Sequence, residues 1–147
     1  MNSHFRYLGR ETKKPGAHAI AFAQKPEAGD YLSKYSEVGS STPIRYLVQG
    51  LVWLDPDSYQ ILRMHTSLLL PEKQTMLKGT NADIVYGKVQ FDNRGREFWL
   101  PREINVGWRF LLADGTALIY HNQHKYSDYH LFTVDTDYEI TQPKVNK

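Results

Sequence analysis

The 147-residue chain contains no cysteine. That removes a disulfide framework, thiolate metal ligation and a cysteine nucleophile in one step. Charge of one sign is also scarce: 18 Lys and Arg stand against 16 Asp and Glu, a formal net charge of +2. Apolar runs extend only a few residues, far short of the roughly 20 needed for a membrane-spanning helix, so no membrane span is expected. Residues 1–14 are polar and basic, so a charged-then-apolar signal peptide is not expected there. Strands do not alternate with helices, and this argues against a parallel nucleotide-binding sheet. Gly39-Ser40-Ser41 lacks the Lys and the helix that a phosphate loop requires. Aromatic residues, by contrast, are plentiful, 13% of the chain with 10 Tyr. The length suits one domain over residues 1–147 with a core of its own.

Hydrophobicity repeats with period 2 almost from end to end, the signature of strands. In residues 17–24 the small Ala17, Ala19, Ala21 and Ala23 alternate with His18, Ile20, Phe22 and Gln24. One face of that strand is smooth, for close packing, and the other bulky. Residues 25–43 read as a long connection punctuated by Pro26, Gly29, Gly39 and Pro43. A short helix is expected within it over residues 28–35, from the spacing of Tyr31, Leu32 and Tyr35. Ile44, Tyr46, Val48, Val52 and Leu54 then alternate with Arg45, Leu47, Gln49, Leu51 and Trp53. Asp55-Pro56-Asp57-Ser58 places Asp and Pro where a type I turn favours them, predicting a hairpin with residues 59–70.

Residues 71–78 form a polar break. Residues 82–86 and 88–91 are expected to pair as two short strands around Gly87, with a loop over residues 92–96. A strand follows over residues 98–110. Pro101 has no N–H for a ladder bond, so it marks an edge, a bulge or the strand start. Ala113-Asp114-Gly115-Thr116 is a turn signal before strands over residues 118–126 and 129–134, and residues 141–147 read as a frayed tail. The expected fold is therefore mainly β: a curved antiparallel sheet, or unclosed barrel, of about eight strands with little or no helix, since so many strands must curl to limit exposed edges.

Chemistry is sparsely signalled. His121, His124, Asp128 and His130 fall within ten residues, a composition that suits a zinc or copper site. Positions 121 and 124, however, point to opposite faces of a regular strand. An enzyme using His124 and Asp128, with His121, His124 and His130 as metal ligands, is the alternative reading; the preferred one has no catalytic residue and no cofactor. Ser58, Ser67 and Ser127 lack a nucleophile-elbow context. Asp55 and Asp57 flank Pro56 and serve the turn by default, and Asp135 and Asp137 share a strand face. Arg94, Arg96, Arg102 and Arg109 lie near Phe98, Trp99 and Trp108, as in sheets that bind single strands. The near balance of charge, with Glu97 and Glu103 among those arginines, favours cross-strand Glu–Arg pairs instead. Nucleic acid is not the expected partner.

The apolar inventory carries more weight. Tyr46, Val48, Val52, Ile61, Leu68, Ile84, Val106, Trp108, Leu118 and Phe132 outnumber what one poor helix can cover. Their face must be covered by a lid, a partner or a ligand, or the barrel must close and fill itself. For a binding surface, the expected lining is Tyr46, Val48, Val52, Ile61, Val106 and Trp108. Strand edges offer a further route to a partner, including a second copy of the chain.

The hairpin Gly50-Leu51-Val52-Trp53-Leu54-Asp55-Pro56-Asp57-Ser58-Tyr59-Gln60-Ile61-Leu62-Arg63-Met64 resembles the Trp-hydrophobic-Asp-x-x-Ser/Thr hairpin of the LolA/LolB-like lipoprotein carriers and RseB-like proteins. The resemblance implies an unclosed antiparallel barrel in the periplasm or cell envelope, with an apolar concavity for an acyl chain, a lipid or a lipid-anchored envelope protein. It also implies a longer precursor of which this chain is the C-terminal portion. Trp99-Leu100-Pro101-Arg102-Glu103 and the run from Tyr120 to Phe132 are similar to segments of bacterial proteins of acidobacterial type that bring no assigned activity.

Overall fold

A computed structural model describes residues 2–12, 16–26, 33–36, 44–69, 75–91 and 96–130. Among these residues there are nine strands: β1 Ser3–Arg10, β2 His18–Gln24, β3 Ser33–Tyr35, β4 Ile44–Tyr46, β5 Val48–Leu54, β6 Ile61–Leu68, β7 Leu77–Phe91, β8 Arg96–Leu111 and β9 Ala117–Lys125. Seven form one antiparallel sheet in the order β1-β2-β5-β6-β7-β8-β9, while β3 and β4 pair separately. The outer strands β1 and β9 do not meet, so the sheet is unclosed. Among the described residues there is no helix.

Period-2 sequence becomes a two-faced sheet because cross-strand partners share a side. One face carries the row Tyr7, Ile20, Val52, Met64, Ile84 and Ile104, from β1 to β8, ending on His124 of β9. A second row on that face runs Phe5, Phe22, Gly50, Thr66, Ala82, Val106 and Asn122. The other face carries Arg6, Ala21, Leu51, His65, Asp83, Asn105 and Gln123 in register. One face is thus apolar and the other largely polar. Burial is shallow: Ala17, Val48 and Leu77 are the buried apolar residues among those described, and no large side chain there is fully enclosed.

The hairpin of β5 and β6 forms as its turn chemistry predicts. Asp55 Oδ1 accepts from the backbone N–H of Ser58 and from its hydroxyl, both at 2.9 Å, and from Asp57 N–H at 3.2 Å. Asp55 N–H donates to Gln60 O at 2.9 Å, closing the loop, and Tyr59 adopts a left-handed φ of 56° to complete it. Bulges interrupt the ladders beside Leu8, Leu62, Lys78 and Arg102, where the register shifts. At the second, Leu54 faces Ile61 while Trp53 faces Arg63, so Ile61 joins the apolar side despite its even separation from Arg63.

Several expectations are corrected. Residues 82–86 and 88–91 are not two strands about a turn at Gly87 but one continuous strand, paired with β8 along its whole length. Gly87 instead accommodates Arg102, whose aliphatic stem lies where a Cβ would stand. The helix expected over residues 28–35 conflicts with β3, which occupies its described end; residues 28–32 lie outside the described residues. The alternating run beginning at Ile44 is split at Leu47 into β4 and β5. Residues 129–130 are not in a strand, and residues 131–134 and the tail 141–147, like Phe132, lie outside the description. β1, in a segment that reads only as polar and basic, was not anticipated. Of the three options for Pro101, the bulge is realised: Tyr86 faces Pro101 and Val85 faces Glu103.

Candidate functional site

The six residues expected to line an apolar surface divide five to one. Val48 and Val52 on β5, Ile61 on β6, and Val106 and Trp108 on β8 share the apolar face of the main sheet. Tyr46 instead pairs with Ser33 in the two-stranded sheet. Val48 is buried and the other four are half-buried. Toward both edges the face is open: Phe5 and Tyr7 on β1 are 56% and 57% exposed, and Tyr120 on β9 is 53% exposed. Aromatic contacts knit these margins inward. Phe5 lies 6.3 Å from Phe22, and Tyr120 meets Phe110 edge-on at 5.9 Å. Gly50 sits under this face with the Phe22 ring 3.0 Å from where its Cβ would be, so the missing side chain lets the aromatic lie across β5.

The histidine cluster does not assemble. His121 faces Gly107 on the polar side, His124 faces Ile104 on the apolar side, and His130 follows the end of β9. Odd spacing on a strand separates the first two, as the sequence reading anticipates. His124 stacks on Tyr126 at 6.5 Å, and Asp128, at φ 55°, accepts from the Ser127 hydroxyl at 3.3 Å. Among the described residues no three His, Asp or Glu side chains come together to hold a metal.

The polar face has a feature that sequence reasoning missed. Two registered rows cross its first four strands: His4, Ala23, Gln49 and Ser67, and beside it Arg6, Ala21, Leu51 and His65. In both rows the β2 position is alanine while β1, β5 and β6 carry longer side chains. The outcome is an open cleft of about 480 Å³ lined by these residues and by Phe5, Phe22 and Gly50. The alanine alternation in β2 was the available signal, and it reads as a smooth packing face until the neighbouring strands are known. A second hollow of about 340 Å³ lies over Gly79 and Gly107 near Arg109, Ile119 and His121.

Between the hollows runs a polar network. Arg63 grips Asp83 with two hydrogen bonds, Nε to Oδ1 at 2.6 Å and Nη2 to Oδ2, and rests 5.3 Å from the Trp53 ring. His65 Nδ1 is 3.7 Å from Asp83 Oδ2. The Arg63 hydrogen bond holds the Asp83 carboxyl below the ordinary carboxylate range, outweighing the opposing effect of partial burial. Asn105 and Gln123 donate to Glu103 Oε1 at 2.8 and 2.9 Å and lower its pKa in the same way. These carboxylates are therefore fixed as anions and engaged, a poor disposition for proton transfer near neutral pH.

Comparison with known proteins yields no family model, no curated protein and no solved structure that matches the chain.

Proposed function

We propose that the chain is a non-enzymatic binding domain, and that the apolar face of its unclosed sheet receives a lipid or acyl chain. The supporting observation is the extent of that face: an apolar row runs without a break from Tyr7 on β1 to Ile104 on β8, and Phe5, Tyr7 and Tyr120 at its margins stay more than half exposed. Exposed apolar area of this kind is costly in water, by about 25 cal/mol per Å², and marks a surface with something to bind. The resemblance of the β5–β6 hairpin to the lipoprotein carriers is consistent with an acyl ligand and with the cell envelope as the place of action.

Organic extraction of recombinant protein followed by mass spectrometry tests the reading. A lipid recovered in stoichiometric amount, and lost from Val106→Asn with the β circular dichroism spectrum retained, is the expected result. Recovery of no lipid, or equal recovery from the variant, overturns it.

A second reading follows from the free edges. Among the described residues β1 and β9 each have one side without a paired strand, and Leu8, at the β1 bulge, is 52% exposed. Strand addition along such an edge would take an envelope protein or a second copy of the chain. Light scattering giving twice the chain mass supports self-pairing, and a monomer mass at high concentration removes it.

A further inference from the structure

The cleft over β2 lies on the opposite side of the sheet from the apolar face and is chemically distinct from it. Arg6 and His4 stand on one wall and His65 on the other, and among the described residues no Asp or Glu lines the space. Among the described residues neither Arg6 nor His4 has an ion-pair or hydrogen-bond partner. His65 lies 3.7 Å from the Asp83 carboxylate, which Arg63 also grips. Arg6 and His4 are therefore the donors of the cleft that the described residues leave without a partner. Its floor is apolar, formed by Ala21 and Ala23 with Leu51 beside them.

We infer that this cleft binds a small organic anion: a carboxylate or phosphate group carried on a short apolar body. The Arg6 guanidinium offers a planar fork that fits either headgroup in a bidentate manner. Gln49 and Ser67, in the row next to Arg6, add neutral donors at one end. The alanine floor takes the apolar body, and the volume of about 480 Å³ falls in the range of small-molecule sites, about 300–1,000 Å³. None of this depends on what the apolar face binds, because the two sites lie on opposite sides of the sheet.

Isothermal titration with octanoate and with octyl phosphate tests the inference, with octanol as the neutral control. Saturable binding of one or both anions is expected, with octanol weaker by about tenfold or more, the worth of a charge-assisted hydrogen bond. A response to octanoate alone or to octyl phosphate alone identifies the headgroup. Arg6→Gln, at an exposed position, should weaken the anion by about tenfold or more. Ala21→Leu should fill the floor and abolish binding, with the circular dichroism spectrum retained. Lys125→Gln, which removes a cation from the far edge strand β9, should leave the affinity unchanged. Absence of saturable binding by both anions, equal binding of octanol, an unaltered affinity in Arg6→Gln, or a loss in Lys125→Gln overturns the assignment.

Discussion

Asp83 draws its environment from a strand pairing twenty residues away. Arg63 and His65 on β6 reach it from one side, and its carboxyl is held below the ordinary range by the Arg63 hydrogen bond. A lowered folded pKa stabilises the fold at pH above the unfolded value of about 4, and that contribution fades as pH falls through the folded value. Asp83→Asn should therefore lower the urea midpoint at pH 7 and flatten the loss of stability between about pH 4 and the acid limit. The Arg63 and Asp83 side chains are 38% and 24% exposed, so screening limits the effect to about 1 kcal/mol or less. An unchanged midpoint at pH 7 would show the pair to be energetically silent. At this scale the turn at Asp55 was legible in sequence, because its hydrogen bonds close within three residues. The Arg63–Asp83 pair was not, since only the β6–β7 register brings the two together.

Among the elements, strands with strict alternation were readable, and the exceptions have specific causes. Gly87 reads as a turn because glycine usually punctuates a β sequence, yet here it makes room for Arg102 at a bulge. β1 escaped because its charged and aromatic residues belong to an edge strand, where exposure relaxes the apolar pattern. The glycines themselves separate two situations. A Cβ at Gly50 would run into the His65 carbonyl and the Phe22 ring, whereas one at Gly87 would meet only the flexible Arg102 side chain. Gly50→Ala should thus cost about 1–3 kcal/mol, the range of overpacking. Gly87→Ala should stay within about 0.5 kcal/mol, as at an ordinary surface position. Chemical denaturation of the two variants side by side checks the contrast, and equal costs would contradict the close approach at β5.

At the scale of the whole molecule, the sequence pattern carried the existence of an apolar face but not its company. Val48, Val52, Ile61, Val106 and Trp108 are spread over sixty residues, and antiparallel register alone gathers them onto one side. The same register creates the alanine-floored cleft behind them, which no segment announces by itself. The two faces carry separate reporters: Trp108 shares the row of Tyr120 on the apolar side, and Trp53 faces Arg63 on the polar side. The variant Trp53→Phe with Trp99→Phe leaves Trp108 as the sole tryptophan, and Trp108→Phe with Trp99→Phe leaves Trp53. Monopalmitoylglycerol, an acyl chain without charge, should shift the emission of Trp108 to the blue and leave Trp53 unmoved, because burial beside hydrocarbon removes water from the indole on one face only. Octanoate, seated among Arg6, His65 and the alanines, should leave Trp108 unmoved. A response from Trp53 with silence from Trp108 would place the acyl chain on the wrong side of the sheet and end the assignment of the apolar face as its site.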